Sequence, residues 1–265
     1  MLPEGEPVAG VTSLADEIYV LRRKERDQVE VYDVINYRLL RCLTAPDLTE
    51  FSDTTSCKVY HCLYISDDIN DCIHRLDVQG AVTRWALNDS PCGLSVNAAY
   101  NLLVTCPDVR KIKKFSSHGD LLRELILPDD VIMPCHAIQL ANGQFIVCHG
   151  DGNDAVHRVC KISKDGRDIV YSHGGQPGSN TAQYNVPCRL QVDNNGFVFV
   201  ADSNNRRVTL LSPTLGYVRQ VVSPDKLKWE PGTLYLDTQR RRLYVADNEF
   251  KDDKYTTGRI VVFSV

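Results

Sequence analysis

The feature that most constrains this fold is an apolar run that returns six times at nearly even intervals. The runs end at Val20 (EIYV), Ile65 (CLYI), Val104 (NLLV), Val147 (QFIV), Val200 (FVFV) and Val245 (RLYV), which gives spacings of 45, 39, 43, 53 and 45 residues. A period of this size marks supersecondary units that cannot bury an apolar face alone and must stack on their neighbours. Other features keep the same phase. A residue preceded by proline stands twelve before the end of the run at Val8, Cys92, Cys135 and Cys188. Gly232 takes that place with one extra residue in the turn, and Asp53 takes it without the proline. A short polar turn follows, as in the Asn-Asn-Gly ending at Gly196 and the Ala-Asn-Gly ending at Gly143. Asn-Gly between alternating apolar residues predicts a hairpin with a type I′ turn.

A third strand follows each run, as in VEVYD, IHRLD, VTLLS and IVVFS, and then a further turn and a fourth strand such as YRLLRCL. Four short strands per unit, six units and no convincing helix predict an all-β, six-bladed β-propeller of four-stranded blades. We assign residues 1–265 to one propeller domain with blades at 7–45, 51–88, 90–127, 133–172, 185–222 and 230–265. The core of such a ring is a set of layers between blades. The sixth blade reaches only its third strand. Either the residues before Val8 pair there, or the blade is short, or an upstream segment completes it and Met1 is an artificial start.

Composition narrows the setting. The net charge of -4 and a pI near 6.0 give no overall attraction to nucleic acid or anionic membrane. The N-terminus MLPEGEPVAG lacks the basic flank and apolar run of a signal peptide, so a cytoplasmic location is expected. Ten cysteines occur without a C-x-x-C pair, which argues against zinc-finger and thioredoxin-like readings. Reduced thiols serving as small buried hydrophobes are expected instead.

The stretch YNVPCRLQVDNNGFVFVADSNNRRVTLLSPTLGYV in the fifth unit resembles an NHL repeat: proline, small residue, apolar strand, Asn/Asp-Gly turn, Val-Ala-Asp, then Asn-x-Arg-Val. YVADN in the sixth and YISDD in the second are partial matches. The resemblance implies a propeller like those at the C-termini of tripartite-motif ubiquitin ligases, which bind proteins or RNA. Related six-bladed propellers include metal-dependent lactonases and a peptidylglycine lyase. No RING or B-box cysteine pattern occurs, so ligase activity is not expected in this chain. ADSNNRRV itself is expected to be mainly a repeat element that satisfies backbone groups at a strand corner.

In a propeller the loops joining second to third strands, and the connectors between blades, gather around one mouth of the channel, the top. Loops on a rigid scaffold commonly carry function. Three of these loops are long, at 22–28, 149–158 and 247–259, and the connector at 172–187 is longest. Candidate binding residues on this face are Arg22, Arg23, Arg26, Asp67, Asp108 and His149. Asp151, His157, Asp202, Arg206, Arg207 and Asp247 complete the set. Aspartates outnumber basic residues in these loops, so the rim is expected to be net acidic and RNA binding disfavoured.

The enzyme readings have less support. No nucleophile-elbow or phosphate-loop motif occurs. Cys135-His136, Cys148-His149, His157, Cys160 and His173 concentrate soft ligands in and beside blade four. Adjacent residues on a strand point to opposite faces, so neither Cys-His pair converges. Asp53, Cys92, Cys135 and Cys188 are the candidate metal ring at the channel mouth, but homologous positions fan out around an axis and separate thiols are preferred. No cofactor is expected. The preferred reading is a non-enzymatic module that binds a protein or peptide partner through its top loops. The alternatives are a single-stranded RNA-binding domain of the NHL kind and a metal-dependent hydrolase or lyase with its site in the channel.

Overall fold

The computed structural model describes residues 2–23, 28–44, 51–152, 156–252 and 254–265. Blade one contains β1 (Val8–Leu14), β2 (Glu17–Arg22), β3 (Gln28–Asp33) and β4 (Leu39–Thr44). Blade two contains β5 (Asp53–Cys57), β6 (Cys62–Asp67), β7 (Cys72–Asp77) and β8 (Val82–Ala86). Blade three contains β9 (Leu94–Val96), β10 (Leu102–Cys106), β11 (Lys111–Phe115) and β12 (Leu121–Ile126). Blade four contains β13 (Pro134–Gln139), β14 (Phe145–His149), β15 (His157–Ile162) and β16 (Ile169–Gly175). Blade five contains β17 (Pro187–Val192), β18 (Val198–Asp202), β19 (Arg207–Leu211) and β20 (Tyr217–Val222). Blade six contains β21 (Glu230–Asp237), β22 (Arg242–Lys251) and β23 (Lys254–Ser264). Every sheet is an antiparallel meander in chain order. The six inner strands contact one another in sequence and β1 meets β21, which closes the ring.

All six apolar runs lie in second strands, and each strand continues two residues or more beyond the run. The second strands are apolar almost throughout because both faces are covered. Six buried clusters fill the six gaps between blades. One joins Leu21 and Val31 of blade one to Leu63 and Ile65 of blade two; another joins Val20 to Tyr244 and Ile260 across the closure. Cys57, Cys62 and Cys106 sit in the layer between blades two and three. All ten cysteines are free thiols; Cys57, Cys62, Cys72, Cys106, Cys148 and Cys160 are buried as small side chains, and Cys42 is exposed.

One local expectation changes and one open alternative is decided. At Asp193–Phe197 the N–H of Gly196 donates to the Asp193 carbonyl and Gly196 has φ +83°, while neither Asn194 nor Asn195 has positive φ. This is a type I turn closed by a left-handed glycine rather than the type I′ turn expected from Asn-Gly. Asp193 Oδ1 explains the preference, because it accepts the N–H groups of Asn195 (2.9 Å) and Phe197 (2.8 Å). In blade six the N-terminal residues take the fourth position. Leu2 N–H donates to Ile260 O (3.2 Å), and Gly5 and Gly258 exchange two bonds of 3.0 and 2.8 Å. Of the three possibilities for that blade, pairing by the residues before Val8 is the one observed. Among the described residues no helix is long and apolar enough to cross a membrane.

Candidate functional site

The first strands carry a bulge near the top that sequence alignment alone misplaces. Register shifts fall between Pro134 and His136, Pro187 and Arg189, and Pro231 and Thr233, so Cys135, Cys188 and Gly232 are the bulged residues. In blade one the shift lies between Val8 and Gly10, which makes Ala9 their equivalent. In blade two Asp53 pairs with Ser66, one residue past the apolar run, as His136 pairs with Cys148 and Arg189 with Ala201. Asp53 therefore belongs one level deeper than the cysteines. The expected ring of Asp53 with Cys92, Cys135 and Cys188 separates into two levels. Cys92, Cys135 and Cys188 stand at the mouth with Ala9, Ser52 and Gly232, and Asp53 faces the channel with His136 and Arg189.

Arg189 organises this centre. It projects from blade five and donates to Ser52 O on the opposite side of the ring (2.9 Å) and to Cys188 O (3.0 Å), with Asp53 Oδ2 at 3.6 Å from its Nε. The side chain divides the channel into a mouth of about 230 Å³ and a lower chamber of about 200 Å³, and it lines both. Asp53 compensates the buried guanidinium while its own oxygens accept the N–H groups of Thr54 (2.9 Å) and Leu94 (2.8 Å). His136 is buried, and its Nε2 lies 2.9 Å from Leu94 O and 4.0 Å from Asp53 Oδ2. Burial holds its pKa below the usual histidine value, against the pull of Asp53, which keeps the ring neutral near pH 7. The remaining positions of the ring are small. A Cβ on Gly93 would stand 2.3 Å from Cys135 O, and one on Gly10 would stand 2.4 Å from Thr54 Cγ2, so the close approach of inner strands requires glycine at both.

The three mouth cysteines do not converge. Cys188 Sγ contacts Pro231 O at 3.3 Å and Cys135 Sγ contacts Met133 O at 3.4 Å. Burial pushes both thiols up, Cys188 to about 12, so neither is poised as a thiolate.

Most of the proposed rim residues lie under the top surface. Arg22, Asp67, His149, Asp202 and Asp247 occupy one repeat position, two past the apolar run, and all are buried. Arg22, Asp67, Asp202 and Asp247 hold loops in place, while His149 Nε2 meets Arg158 Nε on the next strand at 3.3 Å. Arg22 pairs with Glu30 (2.7 Å) and donates to Pro3 O (2.7 Å) and Glu6 O (2.8 Å), which staples the N-terminal strand to blade one. Asp202 accepts Arg207 Nε (2.6 Å), Asn185 N (2.7 Å) and Asn205 Nδ2 (2.8 Å). Arg207 in turn donates to Ser179 O, Asn180 O and Gln183 O, fixing the long connector. Asp247 Oδ2 accepts the N–H groups of Lys228 (2.7 Å) and Trp229 (3.1 Å) and is paired with Arg259. His157 Nδ1 accepts Val186 N at 2.9 Å. These side chains close turns, as the repeat reading of ADSNNRRV expected.

Arg23, Asp108, Asp151 and Arg206 are exposed at the top, and Arg26 lies outside the described residues. The rim is thus less acidic than a count of letters suggested, since Asp67, Asp202 and Asp247 are buried with internal donors. Exposed Lys226, Lys228, Lys251 and Lys254 join Arg23 and Arg206 over blades five, six and one. Exposed Asp71, Asp108, Asp129 and Asp130 lie over blades two to four. The top face is of mixed charge, since Lys226 pairs with Asp225, Lys228 with Glu4, Arg110 with Asp129 and Arg158 with Asp130.

His149 yields a pH signature. Burial, followed by the nearby Arg158, lowers its pKa to about 4. A histidine held neutral in the fold supplies stability that is complete above the unfolded value of about 6.5 and is lost as pH falls toward 4. Urea unfolding at pH 7 and pH 4.5 should differ by about 2–3 kcal/mol from this group. The His149→Gln variant should lose that part of the difference. An unchanged pH dependence in the variant would contradict the assignment.

The length of the 247–259 loop was legible in the sequence, but its aromatic pair and a groove between blades five and six were not. The β22–β23 hairpin is longer than its counterparts and carries Phe250 and Tyr255 beyond the ring, both exposed, with ring centroids 5.2 Å apart. Tyr255 lines the channel mouth, and the Arg23 guanidinium lies 5.1 Å from its ring centroid. A wider groove of about 490 Å³ lies between blades five and six, lined by Phe197, Phe199, Leu210 and Val265.

No protein-family model matches the chain. The chain is 29 % identical over 144 residues to NHL repeat-containing protein 3 of Homo sapiens, a match covering 48 % of this chain and 41 % of that protein. The Mus musculus protein of the same name is 27 % identical over the same extent. The matched stretch is therefore less than half the length of either relative. Among solved structures, a streptogramin B lyase aligns over 98 % of this chain and 83 % of its own with TM-score 0.66 and 14 % identity. A catalytically inactive virginiamycin B lyase from Staphylococcus aureus with quinupristin gives 0.67 at 12 % identity, over 99 % and 88 %. Kuenenia stuttgartiensis hydrazine synthase gives 0.68 at 11 %, over 100 % and 97 %. At such identities these neighbours share the fold alone. The NHL resemblance read from the fifth blade is matched by curated proteins named for that repeat, on a ring with the six blades it implied.

Proposed function

We propose that the chain is a non-enzymatic interaction module that receives a partner polypeptide on the sector of its top face formed by blades five, six and one. The observation that carries this reading is the aromatic pair Phe250–Tyr255, exposed on a strand-built hairpin beside the channel mouth. Exposed aromatics with rigid backbones are the usual anchors of protein interfaces, because they bury large area at low entropic cost. The Arg23 guanidinium lies against the Tyr255 ring, so an acidic or aromatic-containing segment is the partner of matching chemistry.

Selection of peptides from a random display library on the purified chain tests the proposal. Selected peptides should lose at least about tenfold in affinity to a Phe250→Ala/Tyr255→Ala variant, a typical cost for interface aromatics. Tyr60→Ala, on the bottom face, should leave them unaffected. Peptides that bind both variants alike would place the site elsewhere and overturn the reading.

Single-stranded RNA is the second reading, favoured by aromatics and basic residues sharing one sector. Salt separates the two: RNA held by phosphate contacts weakens steeply as salt rises. We expect no sub-micromolar RNA binding at physiological salt. The channel chemistry of a hydrolase or lyase has less to build on, because Asp53 has both oxygens engaged by backbone donors and Arg189 bars the passage.

A further inference from the structure

Blade two departs from its sister blades at the repeat position that holds a buried carboxylate. In blade five Asp202 faces Arg207 across the β18–β19 pair, and in blade six Asp247 faces Arg259 across β22–β23. Both carboxylates bind the arginine directly, at 2.6 and 2.9 Å. In blade two Asp67 occupies the same place and is fully buried, but the residue facing it is Cys72. His74, next on the same face of β7, fills the space that the guanidinium takes elsewhere. Among the described residues Asp67 has no arginine or lysine in ion-pair contact; exposed Arg84 lies opposite His74 on β8 without reaching it. A buried carboxylate has kept its position while its cation has been replaced by two metal-ligating side chains.

The three ligand atoms converge. Cys72 Sγ and Asp67 Oδ2 each lie 3.3 Å from His74 Nε2, and all three atoms fall within 4.8 Å of one another. Metal–ligand lengths of about 2.0–2.3 Å at tetrahedral angles place neighbouring ligand atoms about 3.4–3.6 Å apart. One nitrogen faces both partners, and a single N–H cannot serve both. That geometry is also unlike a nucleophilic Cys-His-Asp relay, in which the thiol and the carboxylate bind different ring nitrogens. Asp67 is held by its loop, since Asn70 donates to it through N–H (3.0 Å) and through Nδ2.

We propose that Asp67, Cys72 and His74 form a mononuclear zinc site at the top of blade two, with water in the fourth position. The divalent ion supplies the positive charge that arginine supplies in blades five and six, and the mixed sulfur, nitrogen and oxygen set suits zinc. Binding converts the Cys72 thiol to thiolate and transfers its proton to solvent. Among the described residues His74 Nδ1 has no hydrogen-bond partner, so the site lacks the acceptor that usually backs a metal-bound histidine. Its affinity should therefore be about 10–100-fold below that of a fully supported site.

The test uses the full chain, stripped with chelator and titrated with Zn²⁺ or Co²⁺ alone. One ion per chain should bind, with release of one proton, and Co²⁺ should give a thiolate-to-metal charge-transfer band in the near ultraviolet. Cys72→Ser should remove the band, and His74→Gln should weaken binding at least about tenfold. Cys135→Ser, at the channel mouth, should bind as the parent does. Circular dichroism of the metal-free variants distinguishes loss of ligand from loss of fold, and if one variant is unfolded the other still decides. Failure of the parent to bind one ion, or a band that survives in Cys72→Ser, would overturn the proposal.

Discussion

Removing residues 1–6 is expected to lower the melting temperature by more than about 10 °C, because residues 2–6 cover the outer edge of the sixth blade. Leu2 is buried in the layer between blades six and one, and losing it forfeits about 1.5–3 kcal/mol of apolar burial. Arg22 would lose its acceptors at Pro3 and Glu6 while its guanidinium stays under the surface. Each such charged hydrogen bond contributes about 1.5–3 kcal/mol. The bonds that Gly5 exchanges with Gly258 would go too, leaving the outer edge of β23 as an open template for association. Thermal unfolding with light scattering measures both effects. A truncated chain that melts within about 3 °C of the parent would show that the N-terminal segment is dispensable.

The second large effect is expected at Asp202. Asp202→Ala leaves the Arg207 guanidinium buried without its carboxylate, a change that costs about 3–5 kcal/mol in comparable settings. Burial raises the Asp202 pKa even though Asn185, Asn205 and Arg207 all oppose the rise, so desolvation at this point is severe. The damage should extend to the 176–186 connector, whose carbonyls depend on Arg207. Hydrogen exchange in that connector should rise by more than the global stability loss accounts for. A double Asp202→Ala/Arg207→Met variant should recover part of the loss, because removing both charges removes the desolvation problem. If Asp202→Ala alone were near-neutral, ADSNNRRV would not be the corner clamp described here.

The ring was legible because its cause is one-dimensional. Alternating apolar strands and glycine turns at a fixed period dictate blades, and the layers between blades follow from stacking them. The second strands sit where the apolar runs lie because both their faces are covered. The turn type was misread from Asn-Gly, since Asp193 anchors the turn from outside the dipeptide. Among the candidate rim residues, charge suggested exposure at Arg22, Asp67, Asp202 and Asp247, yet each is buried. A polar letter reports that a partner is needed, and solvent is only one possible partner.

Sequence alone determined the number of blades, the place of their strands and the role of the fifth blade's Asn-x-Arg turn as a repeat element. Only the tertiary structure decided what the repeats bring together. One extra residue in the β5–β6 turn sets Asp53 at the level of His136 and Arg189 rather than of the cysteines. Thr54 pairs with Ile65 eleven residues on, where Leu190 pairs with Val200 ten residues on, and counting back from the apolar run cannot see that difference. The pairing of Leu2 and Gly5 with β23 and the convergence of Asp67 with Cys72 and His74 likewise depend on contacts between segments distant in sequence or brought together by register. The period of a repeat fixes how often a position recurs; the register of its strands fixes which side chains meet there.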